Sequence, residues 1–201
     1  KYAQLAPTLV SRVTREESKK YNNKQQIVRS ARTRLHQLTG AYLPTKLIYA
    51  QWLDRFKCLG RNNRAGLEAL SLSMMRLHAS TAERLETLPV FFQQVLAPIS
   101  PVSSILDLAC GLNPLSIPWM PLADHFTYFA GDVVSPLVDF LQGYFEATGV
   151  NGFASLQDLS FAIPSEQVQL AMLMKTLPLM EQIERGLSQK ILESLNAKHI
   201  L

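Results

Sequence analysis

The chain has 201 residues, of which 47% are hydrophobic and 18% are charged, so it can bury a core and does not have the composition of a disordered tail. Its net charge of +4 hides an asymmetry: residues 1–64 carry 14 lysines and arginines against 3 acidic residues, whereas residues 65–201 carry 6 against 13. A basic first third predicts a module that contacts a polyanion. The alternative is a solvated surface with a chance bias in charge.

Several classes of protein do not fit the sequence. No apolar run approaches the roughly 20 residues that a membrane-spanning helix needs. The chain begins with Lys1-Tyr2 rather than an apolar leader, so we expect no signal peptide and expect the natural start to lie upstream. Cys58 and Cys110 fit neither a disulfide framework nor a metal spacing. These features predict a cytoplasmic protein without a metal site.

The first hundred residues predict helices, because apolar residues recur there at three- and four-residue intervals. The expected helices cover residues 3–20, 24–40, 45–59, 64–78 and 81–96. In the second helix Ile27 and Leu35 lie on the apolar face, Arg29 and Arg32 lie off it, and Gly40 provides a stop. The basic residues of the first two helices are therefore expected to face solvent.

The pattern changes after residues 97–104, where short β-prone runs begin to alternate with helical ones. The expected strands are 104–109, 127–132, 152–158, 168–177 and a last one from 198, with helices at 114–120, 135–149 and 180–196. Such alternation predicts an α/β fold with a doubly wound parallel sheet. The boundary near Pro98 divides the chain into a helical domain, 1–98, and a sheet domain, 99–201.

Acidic residues end three successive predicted strands, where ligands bind in open parallel sheets. The first strand ends near Asp107–Gly111, Asp132 ends the second in the position of a ribose-binding carboxylate, and Asp158 ends the third. Each acid alone could instead cap the next helix or turn. As a set, the three acids favour a ligand site.

The turn "ILDLACGLNPLSI", residues 105–117, has one glycine and lacks the G-x-G-x-x-G spacing of pyrophosphate-binding turns. We therefore predict S-adenosyl-L-methionine, which has no phosphate and carries a positive sulfur. Its carboxylate requires a cation, and Arg84 precedes the sheet domain. The alternative for this segment is a capping box from Ser80 to Glu83, with Arg84 in solvent.

These residues resemble the aminoglycoside-resistance 16S rRNA methyltransferases that modify N7 of guanine 1405. The matching stretches are "ARTRLHQLTGAYLP" (31–44), "LHASTAERL" (77–85), "ILDLACGLNPLSIPWM" (105–120), "LQDL" (156–159), "LMKTLPLMEQ" (173–182) and "LESLNAKHI" (192–200). "ACGLNP" is far more specific than a generic glycine turn. The resemblance covers essentially the whole chain.

The resemblance implies a basic helical region that docks on rRNA, followed by a Rossmann-like methyltransferase domain. It implies these cofactor-binding residues: Tyr42, His78, Ala79, Ser80, Arg84, Asp107, Ala109, Gly111, Asp132, Asp158 and Leu159. Lys175, in the loop "MKTLP", should border the active site and position the base. The residues expected to contact RNA are Arg12, Arg15, Lys19, Lys20, Lys24, Arg29, Arg32 and Arg34. Family members continue beyond "KHIL", so we expect the C-terminal strands of the sheet to be missing.

The leading hypothesis is thus methylation of N7 of guanine 1405 in the assembled 30S subunit by a monomeric enzyme that confers aminoglycoside resistance. One alternative is a methyltransferase for small molecules, against which the basic first third argues. Another is an RNA-binding protein with a vestigial methyltransferase fold, against which the acidic strand ends and Arg84 argue.

Overall fold

The computed structural model describes residues 2–39, 47–60 and 63–201. Its first half contains the helices α1 (Pro7–Ser18), α2 (Lys24–Thr39), α3 (Tyr49–Leu59), α4 (Arg64–Met75), α5 (Ala79–Ala82) and α6 (Leu88–Leu96). The single helix predicted over 81–96 is wrong, because turns separate α5 from α6. Pro89 lies in the first turn of α6, where its missing N–H costs no hydrogen bond, whereas in a helix interior it would break the helix.

The second half forms a parallel five-stranded sheet in the order β3-β2-β1-β4-β5. The strands and helices are β1 (Val102–Leu108), β2 (Leu122–Asp132), α7 (Ser135–Thr148), β3 (Gly152–Leu156), β4 (Val168–Met172), α8 (Leu177–Ile183), α9 (Leu187–Ser194) and β5 (Ala197–Ile200). The predicted α/β fold is confirmed. The helix predicted over 180–196 divides at Gly186. Its φ of +83° is one that glycine adopts readily but that lies outside the α-helical region.

Large aromatic side chains fill the core between the sheet and the helices that cover it. Phe56 of α3 meets Tyr144 of α7 edge to face, with ring centroids 5.1 Å apart, and Tyr128 of β2 packs against Phe145. The same cluster of buried side chains includes Leu9 of α1. The helical half and the sheet therefore share one core. A second cluster, with Leu106 and other residues, lies under α8 and α9.

The start of the chain is attached to the carboxyl end of β2. Leu5 forms an antiparallel bridge with Val134, and the Ala6 N–H donates to the Val133 carbonyl at 2.8 Å. These contacts anchor α1 at the edge of the sheet where β2 ends. In the part of the chain that the structure describes, no helix is long and apolar enough to cross a bilayer.

Candidate functional site

A cavity opens where β1, β2 and β4 end, and its empty volume is about 760 Å³ including the mouth. Helix α2 and the segment before α6 close its other sides. It is lined by Leu38, Thr39, His78, Arg84, Asp107, Ala109, Cys110, Gly111, Asn113, Asp132, Val133, Val134, Leu137, Met174, Lys175, Thr176 and Leu179. A mostly apolar lining with a few polar groups is typical of small-molecule sites.

The turn after β1 forms the floor of the cavity. Ala109 and Gly111 both have positive φ values, +50° and +54°. This conformation turns the chain sharply and directs the Gly111 N–H to Asp132 Oδ2, 2.9 Å away. Glycine adopts this conformation at 111 without strain, and Ala109 adopts it with a small side chain, so the turn forms with a single glycine. The single glycine thus agrees with a site that holds no pyrophosphate.

Backbone hydrogen bonds fix Asp132 at the end of β2. Its second carboxylate oxygen, Oδ1, accepts the Val134 N–H at 3.1 Å. Burial raises the pKa of Asp132, and the N–H groups of Gly111 and Val134 oppose that shift. Each carboxylate oxygen has further lone pairs, so Asp132 can still accept hydrogen bonds from a ligand.

Asp107, in β1, is almost fully buried on the cavity wall. Its Oδ2 accepts the Tyr128 hydroxyl at 2.7 Å and the Asn113 amide Nδ2 at 3.0 Å. Burial raises its pKa to about 6, whereas these two hydrogen bonds and the charge of Arg84 lower it. Asp107 therefore provides a negative charge in the cavity at neutral pH.

Arg84 supplies the opposite charge. It is half-buried, its Nη1 contacts Met174 Sδ, and its Nε is buried with no hydrogen-bond partner. Burial lowers its pKa. The capping-box alternative is wrong, because α5 begins at Ala79 with His78, not Ser80, in the N-cap position. The unpaired Nε is suited to an acceptor such as a carboxylate.

Lys175 lies at the rim of the cavity, three residues after β4. Its φ of +62° is unfavourable for a residue with a side chain, by roughly 1–2 kcal/mol. Its ammonium forms an ion pair with Glu83, the residue before Arg84. Glu83 thus contacts Lys175, and the adjacent Arg84 contacts Met174, in the loop that follows β4.

Most of the predicted cofactor residues meet at this cavity. Those in its lining are His78, Arg84, Asp107, Ala109, Gly111 and Asp132, and Lys175, which was predicted to position the base, lines it too. Ala79 and Ser80 open α5 beside it, and Tyr42 lies outside the described residues. Sequence reasoning assigned no role to Leu38, Thr39 or Asn113, although "ACGLNP" contains Asn113 and was the most specific motif.

Asp158 and Leu159 are buried but are not among the residues that line the cavity. The predicted strand 152–158 ends at Leu156, so both residues belong to the following loop. The Asp158 carboxylate accepts hydrogen bonds from the Thr8 hydroxyl at 2.9 Å and from Ser160. In this arrangement its side chain connects the loop to α1 rather than facing the cavity.

The basic residues of α1 and α2 divide into two groups. Arg34 of α2 forms ion pairs with Glu16 and Glu17 of α1. Arg12 and Lys20 form local ion pairs with the same two glutamates, Arg12 with Glu16 and Lys20 with Glu17. Glu17 is buried, and hydrogen bonds, first from Lys20, lower its pKa to about 2. Arg34 therefore connects α2 to α1, and Arg12 and Lys20 already have carboxylate partners within their own segment.

The other predicted RNA contacts, Arg15, Lys19, Lys24, Arg29 and Arg32, are exposed. Lys24, Arg29 and Arg32 line a shallow groove on α2. Positive charges on one exposed helix face provide a surface for a polyanion. The described residues contain no cluster of potential ligands that could hold a metal ion.

A parallel sheet with a cavity at its switch point, an acid at the end of each of two strands and a one-glycine turn defines the class of Rossmann-like methyltransferases. The comparisons specify the family: the model described as "Ribosomal RNA methyltransferase (FmrO)" matches residues 1–201. The chain belongs to this family.

Named relatives and solved structures agree with this assignment. The chain is 36% identical to the 16S rRNA (guanine(1405)-N(7))-methyltransferase of Micromonospora olivasterospora, over 92% of this chain and 62% of the relative. It is 33% identical to the enzyme of that name from Serratia marcescens, over 98% and 72%. The structure of the 16S rRNA methylase RmtB superposes with a TM-score of 0.80 at 31% identity, over 98% of this chain and 75% of that one.

A further solved structure, the 16S rRNA methyltransferase RmtF in complex with S-adenosyl-L-homocysteine, has a TM-score of 0.77 at 29% identity. The match covers 98% of this chain and 72% of that one. The chain spans 62% and 64% of the lengths of the curated relatives from M. olivasterospora and Micromonospora echinospora.

Proposed function

We propose that the protein transfers a methyl group from S-adenosyl-L-methionine to N7 of guanine 1405 of 16S rRNA within the 30S subunit, and thereby confers aminoglycoside resistance. Helix α2 provides the main support. Its exposed face carries Arg29 and Arg32, and its last residues, Leu38 and Thr39, line the cavity. Seven residues of helix separate Arg32 from Thr39, or about 10 Å. RNA bound on this face would lie next to the cavity.

The cavity matches the parts of S-adenosyl-L-methionine. The buried, unpaired Nε of Arg84 would hold its carboxylate, Asp107 its positively charged amino group, and Asp132 its ribose hydroxyls. Val134 and Leu137 beside Asp132 offer an apolar wall for the adenine. This placement does not use the carboxylate of Asp158, which has other partners.

The proposed reaction requires positioning more than acid–base catalysis. When bound, S-adenosyl-L-methionine supplies a methyl group on a positively charged sulfur, and N7 of guanine can accept it with an in-plane lone pair without losing a proton. The protein then has to hold N7 about 3 Å from the methyl group and in line with it. Lys175, at the rim, is placed to orient the guanine through O6 or a neighbouring phosphate.

We also propose a division of roles in which residues 1–98 dock on the ribosomal subunit and residues 99–201 carry the cofactor. His78 and Arg84 of the first segment contribute to the cavity, so the division concerns docking and not the limits of the cofactor site. We propose that the protein acts as a monomer, in the cytoplasm where ribosomal subunits are found.

Methyl transfer from labelled S-adenosyl-L-methionine tests the function when 30S subunits, free 16S rRNA and a mixture of small metabolites are offered in parallel. Label in 30S subunits, with a primer-extension stop at guanine 1405, is the expected result. Label in metabolites would identify a small-molecule enzyme. Cofactor binding without any transfer would favour a vestigial fold.

The role of Lys175 is tested by single-turnover methylation of 30S subunits between about pH 6 and 9, the range in which a tuned base would titrate. Lys175→Ala should lower the rate at every pH without changing the profile, and Lys175→Arg should restore part of it. A steep rise with pH that Lys175→Ala abolishes would mean that proton removal matters and that positioning is not the mechanism.

A further inference from the structure

Both hydrogen bonds that Asp107 accepts from side chains reach the same oxygen. The Tyr128 hydroxyl lies 2.7 Å and the Asn113 Nδ2 lies 3.0 Å from Oδ2. Asp107 is 1% exposed and Tyr128 is 0% exposed, so this arrangement is fixed inside the core. The other oxygen, Oδ1, is left for a ligand in the cavity that Asp107 lines.

Asn113 provides a second acceptor next to the Asp107 carboxylate. An ionised carboxylate can only accept, so Asn113 has to face Asp107 with its amide nitrogen. Its own oxygen, Oδ1, is then turned away, and it is buried without a hydrogen-bond partner. Asn113 is 2% exposed and lines the cavity. A buried acceptor without a partner costs free energy unless a ligand donates to it.

The strand register explains how Tyr128 reaches Asp107. Asp107 of β1 is paired with Ala130 of β2, and Ile105 is paired with Tyr128. Residues two apart on a strand point to the same side, so Tyr128 and Ala130 share the face of Asp107. The small side chain of Ala130 leaves space for the Tyr128 ring to extend along the strand towards the carboxylate.

We propose that Tyr128 is a positioning residue that keeps Asp107 charged and oriented, and that Asn113 Oδ1 and Asp107 Oδ1 together accept the ammonium group of the cofactor's amino-acid end. This inference rests on the proposed function and extends it to two residues that do not follow from the strand-end pattern. An ammonium group has three donors and no acceptor, which matches the unpartnered Oδ1 of Asn113 and the Oδ1 of Asp107 that neither Tyr128 nor Asn113 uses.

The charge of Asp107 depends on these donors. Burial moves its pKa up to about 6, while hydrogen bonds from Tyr128 and Asn113 hold it down. Tyr128 remains a neutral donor, because burial and the neighbouring carboxylate raise its own pKa. The other charged or titratable groups around Asp107 are Arg84, Cys110, Asp132, His78 and Lys175 on the cavity wall. Without the Tyr128 hydroxyl, Asp107 would be largely protonated near neutral pH and would bind a cation poorly.

Tyr128→Phe removes the hydroxyl and keeps the ring. A hydrogen bond to a charged group corresponds to about one to two pH units, so S-adenosyl-L-homocysteine should bind roughly 5- to 50-fold more weakly at pH 6 and nearly unchanged at pH 8.5. Methylthioadenosine, which lacks the amino-acid end, should bind the variant and the parent alike. Tyr144→Phe, an equally buried tyrosine in α7, is the control and should change neither affinity.

Calorimetry in buffers of different ionisation enthalpy tests the same inference on the unmodified protein. At pH 6 binding of S-adenosyl-L-homocysteine should release about half a proton more than binding of methylthioadenosine, and this difference should disappear at pH 8. Asp132 faces the ribose that both ligands share, so the difference reports on Asp107.

The outcomes separate this inference from the proposed function. If neither ligand binds the parent protein, the proposed cofactor is wrong and this inference fails with it. If both ligands bind but proton release is equal, or Tyr128→Phe weakens both ligands by the same factor at both pH values, the cofactor stands and the role of Tyr128 is refuted. Asn113→Ser should weaken S-adenosyl-L-homocysteine and spare methylthioadenosine, and equal losses would refute the acceptor pair.

Discussion

Asp107→Asn should make the protein more stable at neutral pH although it removes a residue of the cofactor site. Asparagine keeps the size of the side chain, and its oxygen can take the place of Oδ2 in accepting from Tyr128 and Asn113. What it removes is a buried negative charge. Binding sites often retain such unfavourable groups because the ligand needs them.

The magnitude follows from the pKa of Asp107, about 6 in the folded protein and about 3.9 in an unfolded chain. Because folding raises this pKa, the stability that Asp107 contributes is fully present below about pH 4 and is lost as the pH rises through about 6. A shift of about two pH units corresponds to about 3 kcal/mol. Asparagine does not titrate, so the variant avoids this loss.

Thermal unfolding at pH 4 and pH 8 measures the effect. For a chain of this length 1 kcal/mol shifts Tm by about 2–4 °C, so Asp107→Asn should melt roughly 6–12 °C above the parent at pH 8 and close to it at pH 4. Asp139→Asn, which removes the same charge from an exposed position on α7, is the control and should show no such gain. A variant less stable than the parent at pH 8, or a gain equal at both pH values, would contradict the argument.

Three other changes test the rest of the structure. Glu17→Gln should lower the free energy of unfolding in urea by about 1–2 kcal/mol at pH 7, a value discounted because Lys20 is solvated. This loss should shrink as the pH falls from about 4.5 towards 2, and a loss that stays constant with pH would exclude the ion pairs as its source. Arg29→Glu with Arg32→Glu should weaken 30S binding and flatten its log–log salt dependence by roughly 0.7–0.9 per lost phosphate contact, with cofactor affinity unchanged; normal binding at moderate salt would make the basic face a solubility feature. Asp132→Ala should weaken cofactor binding by about 1.5–3 kcal/mol in calorimetry, and an unchanged affinity in a folded variant would remove Asp132 from the site.

The elements themselves could be predicted from local patterns. Hydrophobic periodicity located the helices at 24–40 and 135–149 and all five strands, because each depends on spacing within a few residues. The breaks before α6 and α9 were missed. Pro89 and Gly186 both indicate a break in a helix, but the apolar pattern continues across both positions and predicts uninterrupted helices.

Long-range contacts determine which basic residues are free to bind RNA, and the composition of the sequence does not show this. Composition showed that the first third is cationic, but it could not separate Arg34 from Arg29 on the same helix. The difference arises because Glu17 lies 17 residues before Arg34 in sequence and next to it in space. An excess of charge therefore predicts a docking region, whereas the residues free to bind are determined by how α1 packs on α2.

The order of the strands determines which acids reach the cavity. All three acids were predicted at strand ends, and sequence alone treats them equally. In the sheet β1 lies between β2 and β4, so the chain reverses direction across the sheet at β1 and leaves a crevice there. Asp107 belongs to β1, and Asp132 ends the adjacent strand. Strand β3 is two positions from β1, about 10 Å at the usual strand spacing, and Asp158 follows it, where α1 supplies Thr8 as its partner. The same residue type in the same local pattern thus faces the cavity at two strand ends and connects the sheet to a helix at the third.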